Sequence, residues 1–130
     1  MSDFSKALTV SAKAMQAQAT RMRHVSENMA NSDTPGYRRK TVSFLAQKDP
    51  GTDLTTVEVG RVRLDRSELN AIFDPAHPLA DEDGRYDGSN VNILVEMADA
   101  REARRSYEAN LKLFEQARQM SSSLMELLRK

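Results

Sequence analysis

Few side chains in this sequence could do chemistry. It has two histidines, His24 and His77, and no cysteine. Without cysteine there is no disulfide, thiol nucleophile or cysteine-bound metal. The histidines are not set in a His-Glu-x-x-His pair, which would put two imidazoles on one helical face, and no Gly-x-Ser-x-Gly elbow surrounds a serine. His24 falls inside a helical stretch and reads as a structural or surface residue. Asp81, Asp83 and Gly84 suggest a calcium loop, but that register puts its first ligand on Leu79 and its twelfth on Asn90. Arg38-Arg39-Lys40 could touch a phosphate backbone, yet such a cluster after a turn more often is solvated or meets acidic loops. The carboxylates of the helical stretches sit on polar faces, as in the Glu108 and Lys112 pair one turn apart. Nothing supplies a positioned base, nucleophile or metal, so the expectation is no catalytic residue, no metal and no cofactor.

The elements that position these groups are long helices. Asn92 to Leu128 runs without Gly or Pro, and Asn90 or Asn92 would cap it, with Glu96 in the first turn facing the positive end of the helix dipole. Met97, Ala100, Arg104, Tyr107, Leu111, Phe114, Arg118, Ser121, Met125 and Leu128 step by three and four. Ala103, Ser106, Asn110, Leu113, Ala117, Met120, Leu124 and Leu127 do the same one position round. One heptad seam faces one partner helix, so from Asn110 onward, where both seams are apolar, the helix calls for at least two neighbours, and between Arg101 and Arg105, where the stripe turns charged, for fewer.

A second Gly- and Pro-free stretch, Asp3 to Ala30, repeats Leu8, Ser11, Met15, Gln18, Met22, Val25 and Met29, with Phe4 a turn earlier. At about 1.5 Å per residue it spans about 40 Å. Its flexible methionines and small alanines suit close or irregular helix contacts.

Between the helices, Asn28 to Lys40 reads as a helix stop and a turn. Asn31 is placed to take a left-handed C′ conformation, and Pro35-Gly36 forms the centre of a type II turn before Tyr37 starts an extended segment. Val42, Phe44 and Ala46 alternate, Asp49-Pro50-Gly51 turns, and Val57 and Val59 alternate until Gly60 shifts the phase to Val62 and Leu64. This predicts two or three short strands with a bulge at Gly60. Asp65 to Asn90 reads as an irregular acidic loop.

Composition limits what these elements can build. The chain has 130 residues, 39% of them hydrophobic, with seven Phe and Tyr and no Trp, which makes a thin core for two long helices. Formal net charge is zero, but residues 1–40 carry +4, 41–90 carry −5 and 91–130 carry +1. That balance argues against a dedicated nucleic-acid binder. No stretch reaches the roughly 18 apolar residues of a membrane span. The first ten residues do not read as a cleaved signal peptide. The fold expected is mainly α with a small β part. Residues 1–31 and 92–130 form an antiparallel two-helix coiled coil, and 32–91 hold the turn, a short β-hairpin and the acidic loop.

Certain residues also carry a resemblance. Asn28-Met29-Ala30-Asn31 followed by Thr34-Pro35-Gly36-Tyr37-Arg38 is similar to the signature near the N-terminus of bacterial flagellar rod and hook axial proteins, with Met29 where Leu is usual. Phe73-Asp74-Pro75-Ala76-His77-Pro78-Leu79-Ala80-Asp81-Glu82-Asp83-Gly84 resembles a stretch of the proximal-rod family FlgC. Asn90-Val91-Asn92, with Ser89 in place of a Pro, Val95-Glu96-Met97 and Ser106-Tyr107-Glu108-Ala109-Asn110 extend that likeness. The resemblance implies a structural subunit of the proximal rod, the drive shaft that transmits torque and encloses the export channel. Its partners would be further copies and the rod proteins FlgB, FlgF, FlgG and FliE. It also implies type III export without a cleaved signal peptide, a periplasmic rod location, and no nucleic acid, small-molecule substrate or membrane insertion. Asn28, Asn31, Thr34, Pro35, Gly36, Tyr37 and Arg38 would set the turn. Leu8, Met15, Met22, Val25, Met29, Asn90, Val91, Asn92, Met97, Tyr107, Asn110, Leu111, Phe114, Leu124 and Leu128 would form the assembly seam. The alternatives are a FlgB-like rod protein, a helical export adaptor or chaperone, a peripheral membrane helix at the N-terminus and, with least support, an enzyme.

Overall fold

In a computed structural model the first helix, α1, spans Asp3–Ala30 and the last, α2, spans Ile93–Arg129. The structure describes residues 2–129, so Met1 and Lys130, the outermost residues of the expected terminal segments, lie outside it. Ser2 caps α1, its Oγ accepting from the Ser5 N–H at 3.1 Å. Of the two asparagines expected to cap α2, Asn92 does so, its Oδ1 accepting from Leu94 N–H at 3.0 Å. Among the described residues, no helix is long and apolar enough to cross a membrane.

The helices pair antiparallel. Arg21 bridges Asp99 and Glu102 near one end, while Phe4 lies beside Met120, Leu124 and Leu127 at the other. α2 has 37 residues to the 28 of α1. The extra nine residues make α2 longer by about 13 Å.

The covered stripe of α2 corrects the expected seams. Glu96, Ala100, Ala103, Tyr107, Asn110, Phe114, Ala117 and Ser121 are buried or half-buried, a line that takes alternate members of each predicted series. A single partner helix is one seam wide, so α1 settles over the boundary between the two seams. Met97 and Leu111 are left exposed along one edge and Leu113 and Met120 along the other. Leu124, Met125, Leu127 and Leu128, on the last turns, are also exposed. At the centre of the pair, buried Ala17, Ala103 and Ala117 let the backbones approach.

The other flank of α1 carries a β-hairpin. Strands β1 (Lys40–Thr41) and β4 (Arg63–Leu64) form its neck, and β2 (Phe44–Lys48) and β3 (Thr55–Val59) its arm. Lys40 pairs with Leu64 at the neck, and Phe44 pairs with Val59 in the arm. Val42 and Ser43 thus stand opposite Gly60, Arg61 and Val62, three residues against two. This is the bulge expected at Gly60, whose N–H donates to Ser43 O at 2.8 Å. β3 lies on α1 with Thr56 buried and Glu58 3.2 Å from Lys13, whereas β2 is exposed throughout.

The acidic segment is less irregular than its sequence suggests. Strands β5 (Ala71–Phe73) and β6 (Arg85–Asp87) form a second antiparallel hairpin. His77 stacks on Tyr86 with ring centroids 3.9 Å apart, and Asp81 Oδ1 accepts from the N–H groups of Asp83 and Arg85. Three-residue strands flanked by prolines and carboxylates give almost no alternation to read, which is why this hairpin is absent from the sequence-based expectation.

The chain exposes 9357 Å² of surface. A compact monomer of 14.6 kDa exposes about 6,900 Å². The difference is the area of a sizeable protein interface.

Candidate assembly site

A polar junction ties the end of α1 to the start of α2, and the uncovered edges of α2 run on from it toward the far end of the helix. The junction is built around Asn28, which is 1% exposed. Its Nδ2 donates to Lys40 O at 2.9 Å and to Glu96 Oε2 at 3.3 Å. Its Oδ1 accepts from Lys40 N–H at 2.9 Å and from Tyr37 Oη at 2.9 Å. These four bonds use all of a carboxamide's donors and acceptors, which makes burying it tolerable.

The turn holds these partners in place. Gly36 has φ +74° and Tyr37 N–H donates to Thr34 O at 3.1 Å, the type II turn that Pro35-Gly36 predicted. Gly36 N–H also reaches Asp87 O and Gly88 O, tying the turn to the second hairpin. Asn31 departs from expectation. Its φ is −108°, because its Nδ2 donates to Glu27 O at 2.8 Å and satisfies the helix end without a left-handed residue. Its Oδ1 instead accepts from Thr34 Oγ1 at 3.1 Å.

Charged groups close the junction. Glu96 is fully buried in the first turn of α2 and is held by Arg39 Nε as well as by Asn28. Arg39 Nη2 donates to Asp99 Oδ2 at 2.6 Å, and Asp99 Oδ1 accepts from Arg21 at 3.3 Å, so α1, turn and α2 share one ion-pair network. Desolvation works against the Arg39 cation, but its hydrogen bond to Glu96 and the charges of Glu96, Asp99 and Asp65 outweigh that and hold its pKa above the ordinary value. The hydrogen bond from Lys40 at 2.7 Å holds the Glu27 carboxyl below its usual range, and the same bond raises Lys40. Burial pushes the Tyr37 phenol up, and the backbone N–H of Ser67 pulls Asp65 down.

The basic triplet therefore meets acidic and carbonyl partners. Arg38 donates to Asp65 O and Ser67 O, Arg39 to Glu96 and Asp99, and Lys40 to Glu27. Asn90, expected on the assembly seam, works inside the subunit: its Oδ1 accepts from Arg39 N–H at 2.6 Å and its Nδ2 donates to Asp65 O at 2.9 Å. Val91 is buried beside it.

Of the other expected seam residues, Val25 is buried and Leu8, Met15, Met22, Met29, Tyr107, Asn110 and Phe114 are half-buried. Met97, Leu111, Leu124 and Leu128 are exposed, as is the cap Asn92. Arg39, Glu96 and Asp99 were not singled out as site residues. Glu96 could have been, because it stands seven residues before Ala103 on the heptad line that continues through Asn110 and Ala117.

Comparison with known proteins finds relatives over nearly the whole chain. The family model for the flagella basal body rod protein matches residues 8–38, most of α1 and the turn. The model for the flagellar basal body rod FlgEFG protein C-terminal region matches residues 82–127, from the tip of the second hairpin to nearly the end of α2. The chain is 42% identical to the flagellar basal-body rod protein FlgC of Agrobacterium fabrum over 99% of this chain and 98% of that protein. It is 32% identical to the same-named protein of Bacillus subtilis, covering 92% and 95%, and 29% identical to that of Salmonella typhimurium, covering 91% and 92%.

Proposed function

Since the chain belongs to the FlgC family of flagellar basal-body rod proteins, we propose that its paired helices stack with those of neighbouring subunits to form the wall of the proximal rod. It is a structural subunit, not an enzyme. One observation carries the stacking reading: α1 covers only the middle line of α2, and Met97, Leu111, Leu113, Met120, Leu124, Met125, Leu127 and Leu128 stay exposed. Clustered exposed apolar side chains of this kind mark a surface where another protein packs.

In this reading the polar junction sets the angle between the helices, and neighbours complete the apolar edges. The neighbours are further copies of this chain and the other rod proteins, in the FlgB, FlgF, FlgG and FliE families. The rod so formed lies in the periplasm, transmits torque and encloses the export channel. Subunits arrive partly unfolded through the flagellar type III export apparatus, and the isolated chain gains helix when it meets its partners.

The test is replacement in a flagellated bacterium that lacks its own FlgC. Purified basal bodies should contain this chain, motility should return, and circular dichroism should show a gain of helix when the chain is mixed with the other rod proteins. A chain that is exported yet absent from basal bodies would refute the proposal.

A further inference from the structure

All the sulfur in this chain is thioether: it has seven methionines and no cysteine to intercept an oxidant first. The two helices hold their methionines differently. On α1, Met15, Met22 and Met29 are half-buried. On α2, Met97, Met120 and Met125 are 41%, 50% and 64% exposed. An oxidant must reach the sulfur to react with it, so the α2 thioethers are the ones open to attack.

Their position gives that chemistry a consequence. Met97 and Met120 stand on the two edges of α2 that α1 leaves uncovered, and Met125 lies on the exposed last turns. Met120 also borders a groove with Phe4, Leu124 and Leu127, with Gln119 and Ser123 on its rim. A flexible thioether suits such a contact surface because it adapts to partners of different shape. Hydrogen peroxide changes its character. The sulfur lone pair attacks one peroxide oxygen, an S–O bond forms as the O–O bond breaks, and sulfur gives up two electrons while the peroxide leaves as water. The apolar side chain becomes a polar, chiral sulfoxide, which loses its water when a neighbour covers it.

We infer that Met97, Met120 and Met125 form a reversible oxidation site that closes the α2 edges to neighbouring subunits. The inference rests on the rod-subunit reading and adds chemical control to it. The line of α2 that α1 covers holds no methionine, so oxidation at these three positions leaves the helix pair itself intact.

The test treats the purified full chain with hydrogen peroxide, maps sulfoxide by peptide mass spectrometry, and then mixes the chain with the other rod proteins. Sulfoxide should build up several-fold faster on Met97, Met120 and Met125 than on Met15, Met22 and Met29. The oxidised chain should keep its circular dichroism but need a roughly tenfold higher concentration to co-assemble, the scale of one polar group buried without a partner. Methionine sulfoxide reductases A and B, one for each epimer, should reverse the loss.

A chain carrying Met97→Leu, Met120→Leu and Met125→Leu, which keep the side-chain volume, should co-assemble equally well before and after peroxide. Equal oxidation rates on the two helices, normal co-assembly of the oxidised chain, or loss of the peroxide-treated leucine chain would each overturn the inference. Failure of the untreated natural chain to co-assemble would count against the rod reading instead, and the oxidation rates on the two helices would still judge the site.

Discussion

The side-chain amide of Asn28 donates to the carboxylate of Glu96 at 3.3 Å across 68 residues of sequence, and both groups are shut off from water. The contact joins the last turn of α1 to the first turn of α2. It makes the helix crossing a matter of satisfied polar groups rather than of apolar packing alone. Misplacing either helix by a turn would leave an unpaired carboxylate in the interior, so this junction selects one register among the several that methionine-rich helices could adopt.

Asn28→Asp replaces the two amide donors with a second carboxylate facing Glu96. It should destabilise the helix pair by about 3 kcal/mol or more, the range for an uncompensated buried charge. Tyr37→Phe removes one of the four bonds to Asn28 and should cost about 1 kcal/mol. Urea unfolding followed by circular dichroism measures both. Equal effects from the two substitutions would mean that the Glu96 contact adds nothing.

The junction should loosen at both ends of the pH scale. Glu27 titrates below its ordinary 4.5, so its contribution is present above that pH and is lost as pH falls through the lowered value. Lys40 titrates above its ordinary 10.5 and Tyr37 above 10.0. Their contributions are present below those values and are lost as pH rises through the raised ones. A helicity titration should show a plateau between these limits. Lys40→Met, which removes the largest cause of the Glu27 shift, should flatten the acid side.

The two left-handed glycines should differ in their tolerance of a side chain. At Gly36, φ +74°, an added Cβ meets nothing within 4 Å, so Gly36→Ala should cost about 1 kcal/mol from backbone strain alone. At Gly84, φ +77°, the Cβ would lie 2.9 Å from Pro75 Cγ and 3.0 Å from Phe73 Cε2. Gly84→Ala should therefore cost clearly more and disturb the His77–Tyr86 stack, which the aromatic ring-current shifts of Tyr86 would report.

What could be read from the sequence was mostly local. The two helices follow from long runs free of Gly and Pro and bounded by capping residues, and the turn follows from the steric demands of Pro35 and Gly36. Asn31 was misread because a side chain supplied the cap that the backbone was expected to supply. The junction could not be read locally, since the bonds that hold Glu96 join residues 57 and 68 apart and an Asn, an Arg and a Glu look like solvated residues until the helices are placed. The seams were half legible. Periodicity gives the apolar surface of α2 but not the line along it that one helix will cover.

That line separates two substitutions that the sequence would treat alike. Phe114 is half-buried under α1, whereas Leu111 stands on the uncovered edge, 36% exposed. Phe114→Asp places a charge inside the helix pair and should lower the helicity of the isolated chain as well as block assembly. Leu111→Asp should leave the isolated chain's circular dichroism unchanged and still block incorporation into rods, because its charge becomes buried only when a neighbour covers the edge. Swarming assays with immunoblots of purified basal bodies measure incorporation. Normal rods built from Leu111→Asp would show that this edge of α2 stays in water in the finished shaft.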